Sequence, residues 1–187
     1  MMFYVVIIHL PELYLTMNRP QPGEYNPYFD RYIKLVPDGE FNTMLADNTR
    51  ATLDFFGEIP VEKHDHSYGP GKWTIKQVLM HIIDTERVMA YRAFVASRAD
   101  NMVTLPAMDE NHYAAHADVS DRDMASLINE FTAVRAATSA IYGNLNDDRS
   151  KFAAKGETHP FTARALGYIM IGHIEHHFRI TRDRYLQ

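Results

Sequence analysis

Three histidines lie within five positions of the stretch IGHIEHHFRI, residues 171–180. They are His173, His176 and His177, and apolar residues surround them. In an α-helix, residues three or four positions apart lie one turn apart on the same face. His173 could therefore share one metal ion with His177 or with His176, and the spacing does not decide between these pairs. Imidazole is a ligand that suits zinc, nickel, copper and iron alike.

The apolar setting distinguishes this cluster from ordinary surface histidines. A buried neutral imidazole needs a partner for each ring nitrogen, and the backbone groups of a helix are already bonded to one another. A metal ion solves the problem because it accepts one lone pair from each ligand. His112 and His116 have the same spacing, but they lie in the polar stretch ENHYAAHAD. We predict that this second pair is exposed to solvent.

A third candidate ligand, His81, lies in the stretch MHIIDTERV among apolar residues of another helical pattern. A single histidine on an apolar face is usually a core residue, but a matching pair on a second helix favours a shared site. His81, His173 and His177 would supply three nitrogen ligands from two helices. Three protein ligands leave a coordination position for water or substrate, as catalytic metal sites do.

Several charged residues near these histidines are weaker candidates for a role in the site. Asp84, Glu86 and Glu175 could accept hydrogen bonds from the imidazoles or transfer protons, although charges beside a helical stripe usually face solvent. Arg92 follows His81 by eleven positions, about three helical turns, and so lies on the same face. It could bind an anionic group of a substrate or form a buried salt bridge.

Four amphipathic helical patterns must position these residues. The second has the clearest start, because Thr74 and Gln77 form a capping box. The connection between the second and third helices contains Pro106 and Asp109, and Asp109 could be a fourth ligand if this segment folds over the site. The predicted ranges are Phe41–Phe56, Thr74 to about Asp100, the connection Asn101–Val119, a third helix from the N-cap Ser120 to the stretch GNLNDD, and a fourth from about Thr162 to about Tyr185.

We find no alternating pattern that indicates strands. Four long helices with one longer connection predict an all-α fold, a four-helix bundle with a longer crossover between helices two and three. The Pro- and Tyr-rich residues from 17 to about 40 predict an irregular N-terminal arm on the surface.

Composition excludes several classes of function. The 187 residues include ten histidines and no cysteine, so disulfides, cysteine-based zinc sites and thiol nucleophiles are impossible. The net charge is −5, and no basic run is longer than a pair. We therefore predict that the protein does not bind nucleic acid, since phosphate contacts need clustered lysine and arginine.

The first residues require a separate interpretation. An apolar run ends at Leu10 and Pro11, lacks the basic region and cleavage site of a signal peptide, and is too short to span a bilayer. We favour a translation start at Met17. Residues 1–16 are then a misassigned or disordered leader, and residues 17–187 form one domain. The expected location is cytoplasmic, with no membrane association.

Two stretches together resemble one known family. They are PGKWTIKQVLMHIIDTERVMAYRAF, which contains His81, and ALGYIMIGHIEHHFRI, which contains the histidine triplet. With the intervening LP and MDEN segments, they resemble the DinB/YfiT-like superfamily of metal-dependent proteins over about residues 20–185. The resemblance implies a four-helix bundle with a three-histidine site. It matches the ligands to His81, His173 and His177, and leaves His176 at the helix surface or behind the ligands.

The resemblance also implies a class of activity. Characterised enzymes of the family are thiol S-transferases that use low-molecular-weight thiols such as bacillithiol or mycothiol, or related isomerases and hydrolases. Nickel, zinc and iron have been associated with such sites, and family members often form homodimers. The expected partner is a small-molecule substrate. Because this chain has no cysteine, any thiol must come from outside.

Two other functions remain possible at this point. The first is a non-catalytic metal- or ligand-binding stress protein, in which a fourth protein ligand would close the coordination sphere. The second is a di-iron bundle, which needs carboxylates and Glu-x-x-His repeats on several helices. The third predicted helix offers Glu130 but no histidine at the required spacing, so we do not favour a di-iron site.

Overall fold

The computed structural model describes residues 17–187, and this part of the chain is mostly helical. The prediction about residues 1–16 lies outside the described residues. The elements are α1 (Asp30–Ile33), α2 (Phe41–Gly57), α3 (Ile75–Ser97), β1 (Thr104–Leu105), α4 (Glu110–His116), α5 (Met124–Tyr142), α6 (Asp147–Ser150), β2 (Ala153–Gly156), β3 (Pro160–Thr162) and α7 (Ala163–Arg184).

The two helices that carry the candidate ligands begin where the sequence predicts. At the start of α3, the Thr74 hydroxyl accepts from the Gln77 backbone N–H at 3.2 Å, and the Gln77 side chain accepts from the Thr74 N–H at 2.8 Å. At the start of α7, the Thr162 hydroxyl accepts from the Ala165 N–H at 3.2 Å. Side-chain acceptors thus satisfy backbone donors that have no partner within the helix.

The predicted start of the third long helix is wrong by three positions. Ser120 is not the N-cap, because its hydroxyl and its N–H both donate to the carboxylate of Asp118 in a turn of their own. Asp123 caps α5 instead and accepts from the Ser126 N–H at 2.7 Å. Serine and aspartate are equally good N-caps, so the choice depends on this local competition.

The all-α prediction holds only in part, because the described residues are mostly helical but also contain a small sheet. β1 pairs in parallel with β2, and β2 pairs antiparallel with β3, which gives a small sheet in the order β1-β2-β3. Strands of two to four residues are too short to give an alternating signal. The sheet ties the connection after α3 to the segment that leads into α7, and the short helix α4 lies within this connection.

The four long helices pack together around two clusters of buried apolar residues, and each cluster draws on all four helices. α3 contacts α5 and α7, and α2 contacts the same two helices. No helix within residues 17–187 is both long enough and apolar enough to cross a membrane.

A buried polar network joins all four long helices. Glu86 of α3 accepts from the guanidinium of Arg135 of α5 at 2.6 and 2.8 Å. Arg135 also donates to the side-chain oxygen of Asn48 of α2 at 3.1 Å. The Asn48 amide in turn donates to Glu175 of α7 at 3.1 Å. Glu175 lies in sequence between the two candidate ligands of α7, His173 and His177, so the network helps to fix the rotation of that helix.

The N-terminal arm is more ordered than predicted. Residues 27–33 form a 3₁₀ turn followed by α1, and α1 packs against α7. Tyr32 is buried, and its ring lies edge-on to His173 with the ring centroids 5.4 Å apart. Gly172 permits this approach, because a Cβ atom there would overlap the backbone carbonyl of Tyr32. A glycine next to a candidate ligand thus lets the arm cover the site.

We expect Gly172→Ala to lower the free energy of unfolding by about 2 kcal/mol or more, because the added methyl group overpacks a backbone contact. Urea unfolding followed by circular dichroism measures the effect. Gly57→Ala is the matched control, since a Cβ at Gly57 would meet no atom within 4 Å. The control should be neutral or slightly stabilising, by roughly 0.5–1 kcal/mol. Equal stability of both variants would contradict this account of the arm.

Candidate metal centre

α3 and α7 bring together the three histidines that the sequence nominated. The Nε2 atom of His173 lies 3.0 Å from the Nε2 atom of His81 and 3.0 Å from that of His177. All three side chains are buried, and their candidate ligand atoms lie within 4.8 Å of one another. Three ring nitrogens that converge on one point are the donor arrangement of a metal site.

Burial keeps these imidazoles neutral. It lowers the pKa of His81 from 6.5 to about 4. It also lowers the pKa of His173 and of His177 well below the usual range, and the neighbouring imidazoles add to the effect. A neutral imidazole has a free lone pair, which is the state that binds a metal ion. At neutral pH the cluster is therefore ready to bind a cation without first losing protons.

Aromatic packing orients the imidazoles. The ring of Trp73, the single tryptophan of the chain, lies 4.7 Å from that of His81. Tyr32 covers His173 from the arm. The Nδ1 atom of His81 is buried and has no hydrogen-bond partner among residues 17–187. Packing against Trp73, rather than a protein acceptor, therefore holds this ring.

The three nitrogen donors suit a transition-metal ion that is intermediate between hard and soft. Within residues 17–187, the cluster contains three imidazoles and no carboxylate. Nitrogen donors suit zinc, nickel, iron and copper, whereas magnesium and calcium prefer oxygen. Three protein ligands correspond to an open site, because closed structural zinc sites have four.

Asp109 does not complete the coordination shell. It is the N-cap of α4, where its carboxylate accepts from the N–H groups of Asn111 and His112 at 3.1 and 3.0 Å. Its side chain is exposed, and it is absent from the histidine cluster. The segment between α3 and α5 does line a cavity beside His173, but Asp109 serves as the N-cap of α4.

Two cavities reach the histidine cluster from different sides. The larger has a volume of about 720 Å³ and is lined by His173, by Tyr32 of the arm, and by Thr85 and Arg92 of α3. The smaller has a volume of about 230 Å³ and is lined by His177, among others. The imidazoles thus lie between two spaces, and the larger could hold a small organic molecule.

Comparison with known proteins places the chain in a family. The sequence model of the DinB superfamily matches residues 44–180, which is more than half of the 187 residues. The chain belongs to the DinB superfamily. This confirms the family that the sequence motifs indicated. No curated protein matches the chain.

This DinB-superfamily chain is also similar to solved structures, among them YfiT. YfiT from Bacillus subtilis, described as "a probable metal-dependent hydrolase with an unusual four-helix bundle topology", matches with a TM-score of 0.60 at 16% sequence identity. The match covers 89% of this chain and 93% of YfiT. At this identity the likeness shows a common fold.

The carboxylates nominated beside the site have other roles in this DinB-superfamily chain. Glu86 is held by Arg135, and Glu175 accepts from Asn48. Asp84 lies near Arg87, with a carboxylate-to-guanidinium distance of 3.4 Å, and burial raises its pKa. None of the three hydrogen-bonds an imidazole of the cluster within the described residues.

The other histidines lie away from the cluster or at its edge. His176 is half-buried, and its ring packs edge-on against Tyr32, 5.3 Å between centroids. His112 and His116 are exposed on α4, as predicted. His64 is half-buried, and its Nε2 atom lies 2.9 Å from the backbone carbonyl of Ile59.

Two residues that contribute to the site were missed by sequence reasoning. Tyr32 comes from an arm whose docking has no local signal. Thr85 lines the larger cavity, and its buried hydroxyl has no hydrogen-bond partner among residues 17–187. Thr85 follows His81 by four positions, so helical spacing could have placed it on the same face.

Proposed function

We propose that this protein is a metal-dependent enzyme, either a hydrolase or an S-transferase that uses a low-molecular-weight thiol. His81, His173 and His177 would hold one divalent ion, which is zinc, nickel or iron. One observation carries the proposal: three buried, neutral imidazoles converge beside a cavity of about 720 Å³, and no fourth protein ligand joins them within the described residues.

A divalent ion held there would supply Lewis-acid polarisation and would lower the pKa of a water or thiol bound to it. The residues of the chain have separate tasks. The three imidazoles fix the position of the ion, and Trp73 and Tyr32 hold the rings of His81 and His173. The walls of the larger cavity exclude bulk water and orient the substrate. With no cysteine in the chain, the thiol of an S-transfer reaction would be a second substrate.

A non-catalytic metal- or ligand-binding protein is the second candidate, and one observation favours it. Within residues 17–187, Asp84, Glu86 and Glu175 are engaged elsewhere, so none of these three carboxylates stands ready as an acid or base beside the imidazoles. Hydrolysis at an open metal site commonly uses such a group, whereas transfer of an already acidic thiol needs it less. This difference favours S-transfer over hydrolysis within the enzyme proposal.

Three further features belong to the proposal. The four long helices would form a bundle with its longer crossover between α3 and α5. YfiT is described as having an unusual four-helix bundle topology. A homodimer is supported by exposed apolar side chains at and after the end of α3, namely Phe94, Met102 and Val103. A cytoplasmic location would agree with the use of a soluble thiol.

An activity assay separates the candidates. Protein loaded in turn with zinc, nickel or ferrous iron is mixed with monochlorobimane and a panel of low-molecular-weight thiols, and separately with p-nitrophenyl acetate. We expect metal-dependent thiol transfer above the uncatalysed rate, lost on chelation and restored by adding the ion. Metal binding without turnover of any thiol or ester would favour the non-catalytic protein. Ester hydrolysis without thiol transfer would favour the hydrolase.

A further inference from the structure

The larger cavity contains a buried cation at some distance from the histidines. Arg92 is 6% exposed and lines the cavity, and His173 lines the same cavity. Arg92 lies eleven residues after His81 on one face of α3. At a rise of 1.5 Å per residue, its position is about 16 Å further along the helix axis. A single elongated molecule in the cavity could therefore reach both the guanidinium and the histidine cluster.

The guanidinium of Arg92 is incompletely used by the protein. Of its five N–H donors, one donates to the Pro106 carbonyl at 2.5 Å and one contacts the Met89 sulfur at 3.7 Å. Within residues 17–187, no carboxylate approaches it to the 4.0 Å of an ion pair. Burial lowers the pKa of Arg92, but an arginine side chain stays charged in proteins. Glu157 acts on the guanidinium only at longer range, and a neutral donor would be enough to hold the Pro106 carbonyl, so within residues 17–187 the charge has no ion-paired anionic partner.

The surroundings of Arg92 describe a binding slot rather than a solvated surface. Thr85 lies between the levels of His81 and Arg92 on α3, and its unpartnered hydroxyl is buried in the wall of the cavity. Phe161 presents its ring to the guanidinium at 5.7 Å from the centroid. Met89 and Ile169 complete an apolar lining. An apolar slot with one cation and one free hydroxyl suits an apolar molecule that carries an anionic group.

Acidic residues at the rim restrict the charge of that molecule. Asp109, Glu110 and Glu157 line the same cavity and are exposed. Three carboxylates against one guanidinium make the mouth of the cavity negative, which disfavours phosphates and other polyanions. A single carboxylate with a neutral or cationic remainder can pair with Arg92 and meets less of this repulsion than a polyanion does.

We propose that Arg92 is a specificity-determining residue that binds the carboxylate of an elongated, otherwise apolar monocarboxylate or zwitterionic substrate. The inference rests on the proposed function for the reaction at the other end of the cavity. Binding itself depends on Arg92 and Thr85, so it can be measured with and without a metal ion. Arginine binds carboxylates through two parallel N–H donors, and its partner here enters from the cavity.

The test uses the ω-phenylalkanoates from phenylacetate to 6-phenylhexanoate, their primary amides, and 4-phenylbutylphosphonate. Calorimetric titration of the whole chain is carried out in chelator and again after loading with zinc. We expect at least one carboxylate to bind about ten-fold or more tightly than its amide, which is about 1.4 kcal/mol. The doubly charged phosphonate should bind more weakly than the carboxylate of similar length.

Substitutions test whether Arg92 causes the preference for the carboxylate over the amide. Arg92→Met should remove it while leaving affinity for the amide unchanged, and Arg92→Lys should keep part of it. Arg98→Met, at an exposed arginine on the end of the same helix, is the matched control and should have no effect. Thermal unfolding of each variant checks that the fold is intact.

Several outcomes would overturn the inference. Equal binding of carboxylate and amide by the unaltered protein, or no binding of any carboxylate in the series, would do so even if Arg92→Met failed to fold. A preference that survives Arg92→Met and disappears on chelation would mean that carboxylates bind the metal ion instead. An Arg92-dependent preference in protein that binds no metal would support the inference and reject the proposed function, so the two failures are distinguishable.

Discussion

His81→Ala and His177→Ala should each lower the affinity for a divalent ion by more than about 100-fold, because direct ligands contribute more than the 10–100-fold typical of the groups that orient them. Each change removes one of three nitrogen donors and leaves two imidazoles that cannot enclose the ion. The metal content of each purified, untagged variant should then be a small fraction of the value of about one ion per chain expected for the unaltered protein. Metal analysis by mass spectrometry gives the stoichiometry.

The chain offers matched controls for this prediction. His116→Ala removes a histidine from an exposed pair with the same spacing, and His176→Ala removes the neighbour of the cluster on α7. Both should retain the ion. The fluorescence of Trp73, which packs on His81, gives an independent readout, since nickel bound beside it should quench the emission. Retention of the full metal content by both His81→Ala and His177→Ala would end the hypothesis of a site at these residues.

Arg135→Met should lower the free energy of unfolding by about 3–5 kcal/mol, because it leaves the Glu86 carboxylate buried without its partner. Glu86 is 2% exposed and Arg135 is 1% exposed, so water cannot replace the lost hydrogen bonds. The change also removes the donor that positions Asn48, and through it Glu175 on α7. We therefore expect weaker metal binding as well, although no ligand is altered.

Urea unfolding of Arg135→Met, of Glu86→Leu and of the double variant measures the coupling free energy between Arg135 and Glu86. The double variant replaces both charges by apolar groups. It should recover a large part of the free energy of unfolding that Arg135→Met alone loses. Arg87→Met is the control, because Arg87 pairs with Glu130 at 2.6 Å on the half-exposed surface. That pair should contribute only about 0–1 kcal/mol. If Arg135→Met cost no more than Arg87→Met, the network would not hold the helices as described.

Local sequence signals predicted the parts of the fold that depend on near neighbours. The capping box of Thr74 and Gln77 placed the start of α3, and the apolar stripe of α7 placed His173 and His177 on one face. The same signals could not choose between His176 and His177, since both lie one turn from His173. The resemblance to the family favoured His177, and the packing of α3 against α7 brings that residue to His81.

Features that depend on distant contacts were not predictable in the same way. Arg135 lies one turn after Phe131 on the buried face of α5, but its partner Glu86 is 49 positions away. Nothing in either local pattern indicates that two charges on different helices meet in the core. The strands and the docking of Tyr32 also arise from tertiary packing, which outweighs weak local preferences.

The separation of the candidate ligands along the chain has a consequence for the order of folding. His173 and His177 need only one turn of α7, which local hydrogen bonds form rapidly. His81 lies 92 positions before His173, so uniting it with the pair closes a long loop against chain entropy. Until α3 docks on α7, a newly made chain therefore has only two of the three candidate ligands, His173 and His177, close together. We expect tight metal capture to be one of the last steps in its maturation.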